Sequence, residues 1–275
     1  MIKNAKRIVF KVGTSSLTFE NGKPDFNKIE QLARVLSKLH TDGREVILVS
    51  SGAMSAGIDR LKMHERPVST PLRQAIAAVG QCSLISLYDK AFSEYKKTAA
   101  QVLITRDIAE QEILYKNAVN TFNTLLDIGA IPVVNENDTV STAELEGNNF
   151  GDNDTLSAIV SVIVSADALV ILTDRDGLLD KNPAKYDDAV LISDVYDIDE
   201  SIYATAGGSG STRGTGGMKT KLDAAKIATA AGIDTYILNG KDADLIYKLL
   251  DGDGVGTRFH GIRNSEFGIR NSERR

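Results

Sequence analysis

Short apolar runs alternate with helical periodicities along nearly the whole chain. Residues 7–12, 45–49, 100–104, 131–134, 168–172 and 234–238 are brief stretches dominated by Val, Ile, Leu and Ala. That is the pattern of strands buried on both faces. Residues 27–42 repeat Ile29, Leu32, Leu36 and Leu39 at helical spacing, and Gly43 follows as a stop. Residues 71–95 carry Leu72, Ile76, Val79, Leu84, Leu87 and Phe92 on one side, with Gly80 suggesting close packing. Residues 114–128 align Ala118, Phe122, Leu125 and Leu126. Residues 156–164 read as a buried helix, 218–228 as a strong helix former, 242–250 as a short helix and 256–260 as a closing strand. Strand, helix, strand in this order predicts right-handed crossovers and an α/β fold with a parallel sheet. No Pro/Ser-rich linker divides the chain, so one domain is expected over residues 1–260. Residues 176–198 are irregular and polar and read as a surface excursion without chemistry, turning at Asn182-Pro183.

Polar groups collect just past the strands. Residues 7–12 end in Gly13-Thr14-Ser15-Ser16, and 45–49 run into Ser50-Ser51-Gly52-Ala53. In a parallel sheet both turns lie at the C-terminal edge, where open α/β sheets bind ligands. Lys11 sits inside the first run, and two readings of it stand open. It is a solvated strand residue, or it is the cationic partner of a backbone phosphate cradle. The next run delivers Asn135-Glu136-Asn137-Asp138, and 168–172 end at Thr173-Asp174. Gly151-Asp152-Asn153-Asp154 then opens the buried helix at Leu156. A helix start needs one capping side chain, so this surplus of carboxylates and amides marks a site. Residues 207–217 are the most glycine-dense stretch and lead into a helix bearing Lys219 and Lys221 in its first turn. Cations there oppose the helix dipole, which favours a phosphate-binding loop over a flexible linker.

Composition narrows the chemistry. The net charge of −5, with both signs mixed and no basic stripe interleaved with aromatics, argues against a nucleic-acid surface. A single cysteine, Cys82, excludes an intramolecular disulfide and a cysteine-based metal cluster and fits a reducing compartment. No apolar run reaches membrane-spanning length and the N-terminus has no signal pattern, so a cytoplasmic, soluble protein is expected. The P-loop pattern, the dinucleotide fingerprint, zinc-ligand spacings and the nucleophile elbow are all missing. The three histidines, His40, His64 and His260, are scattered. Glycine-bearing turns, separated lysines and carboxylates at one sheet edge suit phosphoryl transfer, where a protein mainly positions groups and neutralises charge.

Together, Lys11-Val12-Gly13-Thr14-Ser15, Val49-Ser50-Ser51-Gly52-Ala53, Asn135 to Asp138, Gly151 to Asp154, Leu172-Thr173-Asp174 and Gly214 to Lys221 resemble, in order, the glutamate 5-kinase branch of the amino acid kinase family. The segment from Arg73 to Gln81 is similar as well. The resemblance covers about residues 6 to 260 and implies a three-layer αβα sandwich with a mainly parallel central sheet. It implies that ATP, with Mg²⁺, phosphorylates the γ-carboxylate of L-glutamate in the first step of proline synthesis. By the same resemblance Lys11 and Lys221 flank the transferring phosphoryl group and Asp154 holds them. Gly13, Thr14 and Gly52 cradle phosphate or acceptor through backbone N–H groups. Ser51, Gly52, Ala53, Asp138 and Asn153 form the glutamate side, with Asp138 suited to the α-ammonium group. Lys11, Gly13, Thr14, Thr173, Asp174, Thr215, Gly216, Gly217, Met218, Lys219, Thr220 and Lys221 form the nucleotide side. No protein metal ligand is assigned. Feedback inhibition by L-proline and a homo-oligomer are further implications.

Many bacterial members of the branch carry a C-terminal PUA domain, and this chain ends soon after the kinase region. Residues 261–275 contain a near-tandem heptamer, Gly261 to Phe267 and then Gly268 onward, that reads as a vector-derived or disordered tail. Two rival functions remain. One is a sister kinase acting on aspartate, N-acetylglutamate, carbamate or a nucleoside monophosphate. The other is a non-catalytic amino-acid or nucleotide sensor.

Overall fold

The innermost strands are the most thoroughly buried, as a sheet covered on both faces requires. In the computed structural model, which describes residues 2–65, 67–140, 153–181, 183, 186–206 and 217–263, the chain begins with β1 (Arg7–Val12), α1 (Thr14–Leu17), α2 (Phe26–Thr41) and β2 (Glu45–Ser50). It continues through α3 (Ala53–Arg60), α4 (Thr70–Ser93), β3 (Thr98–Ile104), α5 (Glu112–Asp127) and β4 (Ala130–Glu136). Then come α6 (Asn153–Ile163), β5 (Ala168–Thr173), β6 (Asp194–Val195), α7 (Glu200–Thr205), α8 (Met218–Ala230), β7 (Asp234–Asn239), α9 (Leu245–Asp251) and β8 (Thr257–Phe259). The strands form one sheet in the order β3-β4-β2-β1-β5-β7-β8-β6. The pairs are parallel except β7 with β8.

Side-chain alternation divides the core between two helix layers. Ile8, Phe10 and Val12 of β1 pack with Leu36 of α2, Tyr88 of α4 and Ile246 of α9. Val9 packs on the opposite face with Phe122 of α5, Leu156 of α6 and Leu222 of α8. The result is the three-layer αβα sandwich with a mainly parallel sheet. Lys11 shares the parity of Val9 and therefore points to the layer of α6 and α8. Lys11 and Lys221 are each 6% exposed, so the solvated-strand reading of Lys11 does not hold. Among the described residues no helix is long and apolar enough to cross a membrane.

The structure departs from the sequence reading at short or interrupted elements. Residues 14–17 form one helical turn rather than a simple bend. Helix α3 was not expected, because Gly57 interrupts its short pattern. That glycine is required by packing: a Cβ there would lie 2.1 Å from Ile76 O. Gly80 does the same for α4, since its Cβ would lie 1.7 Å from Ala53 O, so α3 and α4 cross with backbones in near contact. Leu72, assigned to the apolar side of α4, is 43% exposed. Helix α6 starts at Asn153, so Asn153 and Asp154 form its first turn rather than preceding it. The segment 176–198 is not wholly irregular. It holds a bridge between Leu179 and Leu191 and the edge strand β6, with Leu178, Val195 and Ile198 buried. A two-residue strand is too short to leave a periodic signal. Gly261 N–H donates to Asp234 Oδ1 at 2.9 Å and Ile262 N–H to Thr229 O at 2.8 Å, so the first residues of the expected tail are tied to the fold. The rest of that tail, 264–275, lies outside the described residues.

Candidate active site

Parallel pairing brings the ends of β4, β2, β1 and β5 to one edge. Val12 lies beside Ser50 and Leu172, and Val49 beside Val134. Each following turn therefore opens at the same edge. Ser51 N–H donates to Val12 O at 3.0 Å, which ties the turn after β2 to the end of β1. Gly52 then takes φ 111°, a left-handed conformation open to glycine at little cost, and caps α3.

Helix α6 enters this edge from the other layer. Asn153 is buried, and its Nδ2 lies 2.9 Å from Ser50 O, 3.1 Å from Ser51 Oγ and 2.9 Å from Asn135 Oδ1. The last oxygen also accepts from Glu136 N–H at 2.9 Å. Gln81 of α4 donates Nε2–H to Glu136 O at 3.2 Å, holding the end of β4 from the opposite layer. One residue beyond Asn153, the fully buried Asp154 receives both lysines. Lys11 Nζ lies 2.6 Å from Oδ1, and Lys221 Nζ lies 3.1 Å from Oδ2. Thr220 Oγ1 lies 3.0 Å from Oδ2 and 2.9 Å from Gly217 O, both within reach of its one proton. Burial alone would push the Asp154 carboxyl up, but the ammonium groups of Lys11 and Lys221 outweigh it and hold the carboxyl well below the usual carboxylate range. The carboxylate thus joins β1 to α8 from a position on α6.

Gly13 approaches this cluster closely: a Cβ there would lie 3.5 Å from Lys11 Nζ. Its φ is −84° and a contact of 3.5 Å is ordinary, so neither backbone conformation nor space in this arrangement demands glycine there. Thr14 opens α1. Asp138 is half-buried beyond β4. Burial first, and the Glu136 charge second, push its carboxyl up to about 6. Thr173 is buried at the end of β5 and its Oγ1 lies 3.2 Å from Asp174 Oδ1. Ala53 is buried in the first turn of α3. Gly217 caps α8, Met218 begins it, and Lys219 is exposed in its first turn. So Lys221 and Thr220, not Lys219, reach the carboxylate. Gly151, Asp152, Gly214, Thr215 and Gly216 lie outside the described residues. Asn135, Gln81 and Thr220's bond to Asp154 add to what the sequence suggested. Asn135 had a signal in its place between a strand end and an acidic segment, and Gln81 had one in closing the segment from Arg73 that resembles the family.

The sequence model of the amino acid kinase family matches residues 6–239. The chain belongs to the amino acid kinase family. It is 50% identical over 259 residues to a glutamate 5-kinase of Clostridium perfringens, covering 94% of this chain and 96% of that relative. It is 48% identical over 259 residues to a glutamate 5-kinase of Listeria innocua, covering 94% of each. A carbamate kinase from Giardia lamblia bound to AMP-PNP has the same fold, with a TM-score of 0.67, 16% identity, and coverage of 94% of this chain and 99% of that one. The family's strand ends are therefore the frame on which Lys11, Asn153, Asp154 and Lys221 converge.

Among the described residues no group of three or more His, Cys, Asp or Glu side chains is placed to hold a metal. Both Asp154 oxygens face lysines. These residues therefore do not form a protein cage for Mg²⁺.

Proposed function

We propose that this chain transfers the γ-phosphoryl group of ATP to the γ-carboxylate of L-glutamate, giving glutamyl 5-phosphate and ADP. The observation that carries the reading is Asp154 held between Lys11 and Lys221, beside the amide network that joins Asn153 to Ser51 and Asn135. The similarity to glutamate 5-kinases over nearly the whole chain supports the substrate assignment.

A carboxylate acceptor is already a nucleophile at neutral pH, so the reaction needs no strong general base. One γ-carboxylate oxygen attacks the γ-phosphorus, a new O–P bond forms, and the bond to the β,γ-bridging oxygen breaks. ADP leaves with that electron pair. The obstacle is repulsion between the anionic acceptor and the polyphosphate, and electrostatic preorganisation offsets it. Lys11 and Lys221 would flank the phosphoryl group, with Asp154 fixing both ammonium groups before substrate arrives. Gly13, Thr14 and the N-terminus of α8 would receive phosphate oxygens, and Thr173 and Asp174 would lie on the nucleotide side. Ser51, Gly52, Ala53 and Asn153 would bind the acceptor, with Asp138 paired to its α-ammonium group. Mg²⁺, when bound, would offset charge on the nucleotide phosphates, an ion of that kind usually being held by phosphates, waters and at most one or two carboxylates.

An ADP-coupled assay with glutamate, aspartate, N-acetylglutamate and carbamate tests the reading. Glutamate-dependent ADP release is expected, suppressed by L-proline if feedback inhibition extends to this chain. Turnover of N-acetylglutamate but not glutamate would replace the substrate assignment, and ligand-induced stabilisation with no ADP would favour a sensor. Lys221→Ala should lower kcat by at least about a hundredfold, on the scale of losing one transition-state donor, while circular dichroism stays native. Near-normal ADP release from that variant would sink the role given to Lys221. A cytoplasmic setting belongs to the same reading and is supported by the single cysteine.

A further inference from the structure

We infer that Tyr88 is a positioning residue of the acceptor site, acting through the Ser50 hydroxyl to set the Ser51–Gly52 peptide. The inference rests on the kinase reading above. Tyr88 lies on α4 and Ser50 ends β2, and both are fully buried. Their hydroxyl oxygens are 2.8 Å apart, and Ser50 Oγ is 3.0 Å from Ser51 O. A serine hydroxyl has one proton. Ser50 gives it to the Ser51 carbonyl, so the proton between the two hydroxyls comes from Tyr88. Burial raises the Tyr88 phenol far above its ordinary value, so that donor keeps its proton throughout the working pH range.

The direction of this relay matters. Ser50 shares the parity of Val46 and Leu48, which face the α4 layer. The Ser51 carbonyl is therefore held toward α4. Across a trans peptide the C=O and the following N–H point opposite ways. Gly52 N–H is thus turned away from α4, toward the layer that carries Asn153. It has no acceptor among the described residues and stands at the N-terminus of α3. The Tyr88–Ser50 pair holds this donor ready for an anionic group of the acceptor. Ser51 N–H, bound to Val12 O, fixes the other side of the same residue. Gln81, two turns before Tyr88 on α4, braces Glu136 O in the same manner. One face of α4 therefore holds both strand ends from which the acceptor side is built.

Steady-state kinetics test the assignment. Tyr88→Phe keeps the ring in its pocket and removes only the donor. It should raise the KM for glutamate about three- to tenfold, the loss of one hydrogen bond. kcat and the KM for ATP should stay within about twofold, a split that a general packing defect would not give. Ser50→Ala should match it, and the double variant should be no worse than either single, because both remove one relay. An unchanged glutamate KM in Tyr88→Phe, parallel rises in both KM values, or additive effects in the double variant would overturn the inference. If Tyr88→Phe fails to fold, Ser50→Ala carries the same comparison. Wild-type enzyme is assayed first on the acceptor panel. Turnover of another acceptor in place of glutamate overturns the substrate reading alone, and the Tyr88 comparison is then made on that acceptor's KM.

Discussion

Asp154 is the residue on which both charge and architecture depend. It has no exposed surface, and each of its oxygens faces a buried ammonium group. Asp154→Asn keeps the shape and removes the charge, leaving two buried cations uncompensated. Breaking a buried pair in this way costs about 3–5 kcal/mol, so the denaturation midpoint should fall strongly and turnover should be lost. A variant as stable as the parent would contradict the buried geometry. The folded-state pKa of Asp154 lies below its ordinary value of 3.8. Its contribution is therefore present above about pH 4 and is lost as the pH falls below that value. Asp138 behaves in the opposite sense. Its carboxyl is raised to about 6, so the free protein keeps it neutral between about pH 4 and 6 and charged above. A neutral carboxyl cannot pair with an ammonium group. The expected profile of kcat/KM for glutamate therefore rises with pH through about 6, where that parameter reports groups of the free enzyme. Asp138→Asn should abolish the step and raise the glutamate KM. A profile flat from pH 5 to 8 in the parent enzyme would remove Asp138 from acceptor binding.

Helix α4 contributes to the edge by bracing the ends of β2 and β4. Its Gly80 lets it approach Ala53 O, and Ala53 directly follows the Ser51–Gly52 turn. A methyl group at Gly80 forces α3 and α4 apart. Gly80→Ala should cost about 1–3 kcal/mol, the range for overpacking, and raise the glutamate KM more than the ATP KM. Gly129→Ala is the contrast, because φ there is 77° and a Cβ would meet nothing within 4 Å. Its cost should be about 1–2 kcal/mol of backbone strain, with both KM values unchanged. Equal kinetic effects from the two substitutions would separate helix approach from acceptor binding. The central strands were legible because burial on both faces leaves unbroken apolar runs, and Gly80 announced a close crossing. Lys11, Asn153, Asp154 and Lys221 stood out because they break such runs or crowd a helix start. Helix α3, β6 and the bonds of Gln81, Tyr88 and Thr220 were not legible. Their signals are too short, or their partners lie tens of residues away and meet only when strands and helices are stacked. The burial that raises Asp138 is likewise a property of the assembled edge, not of its neighbours in sequence.

At the scale of the molecule, β1 divides the sheet. β2 and β4 lie on one side, with Asn135 near the end of β4 and Ser51 and Asp138 beyond the strand ends, while β5 and β7 lie on the other and Thr173 closes β5. Lys11 on β1 and Asp154 on α6 meet at the divide, and Lys221 reaches it from α8. Two ligand sites sharing one ion cluster should be separable by a substitution on one side of it. Any ligand that binds only the folded state stabilises it, by about 2.7 kcal/mol at a hundred times its Kd. For a chain of this size that corresponds to a rise in Tm of roughly 5–10 °C. Glutamate and a non-hydrolysable ATP analogue should each produce such a rise in the parent protein. In Lys221→Ala the nucleotide shift should shrink, while the glutamate shift should persist, because Asn153 Nδ2 bonds Ser50, Ser51 and Asn135, and Lys221 bonds the neighbouring Asp154. Loss of both shifts together would mean that Asp154 couples the two sides too tightly for either to form alone. Retention of both would place the nucleotide phosphates away from Lys221.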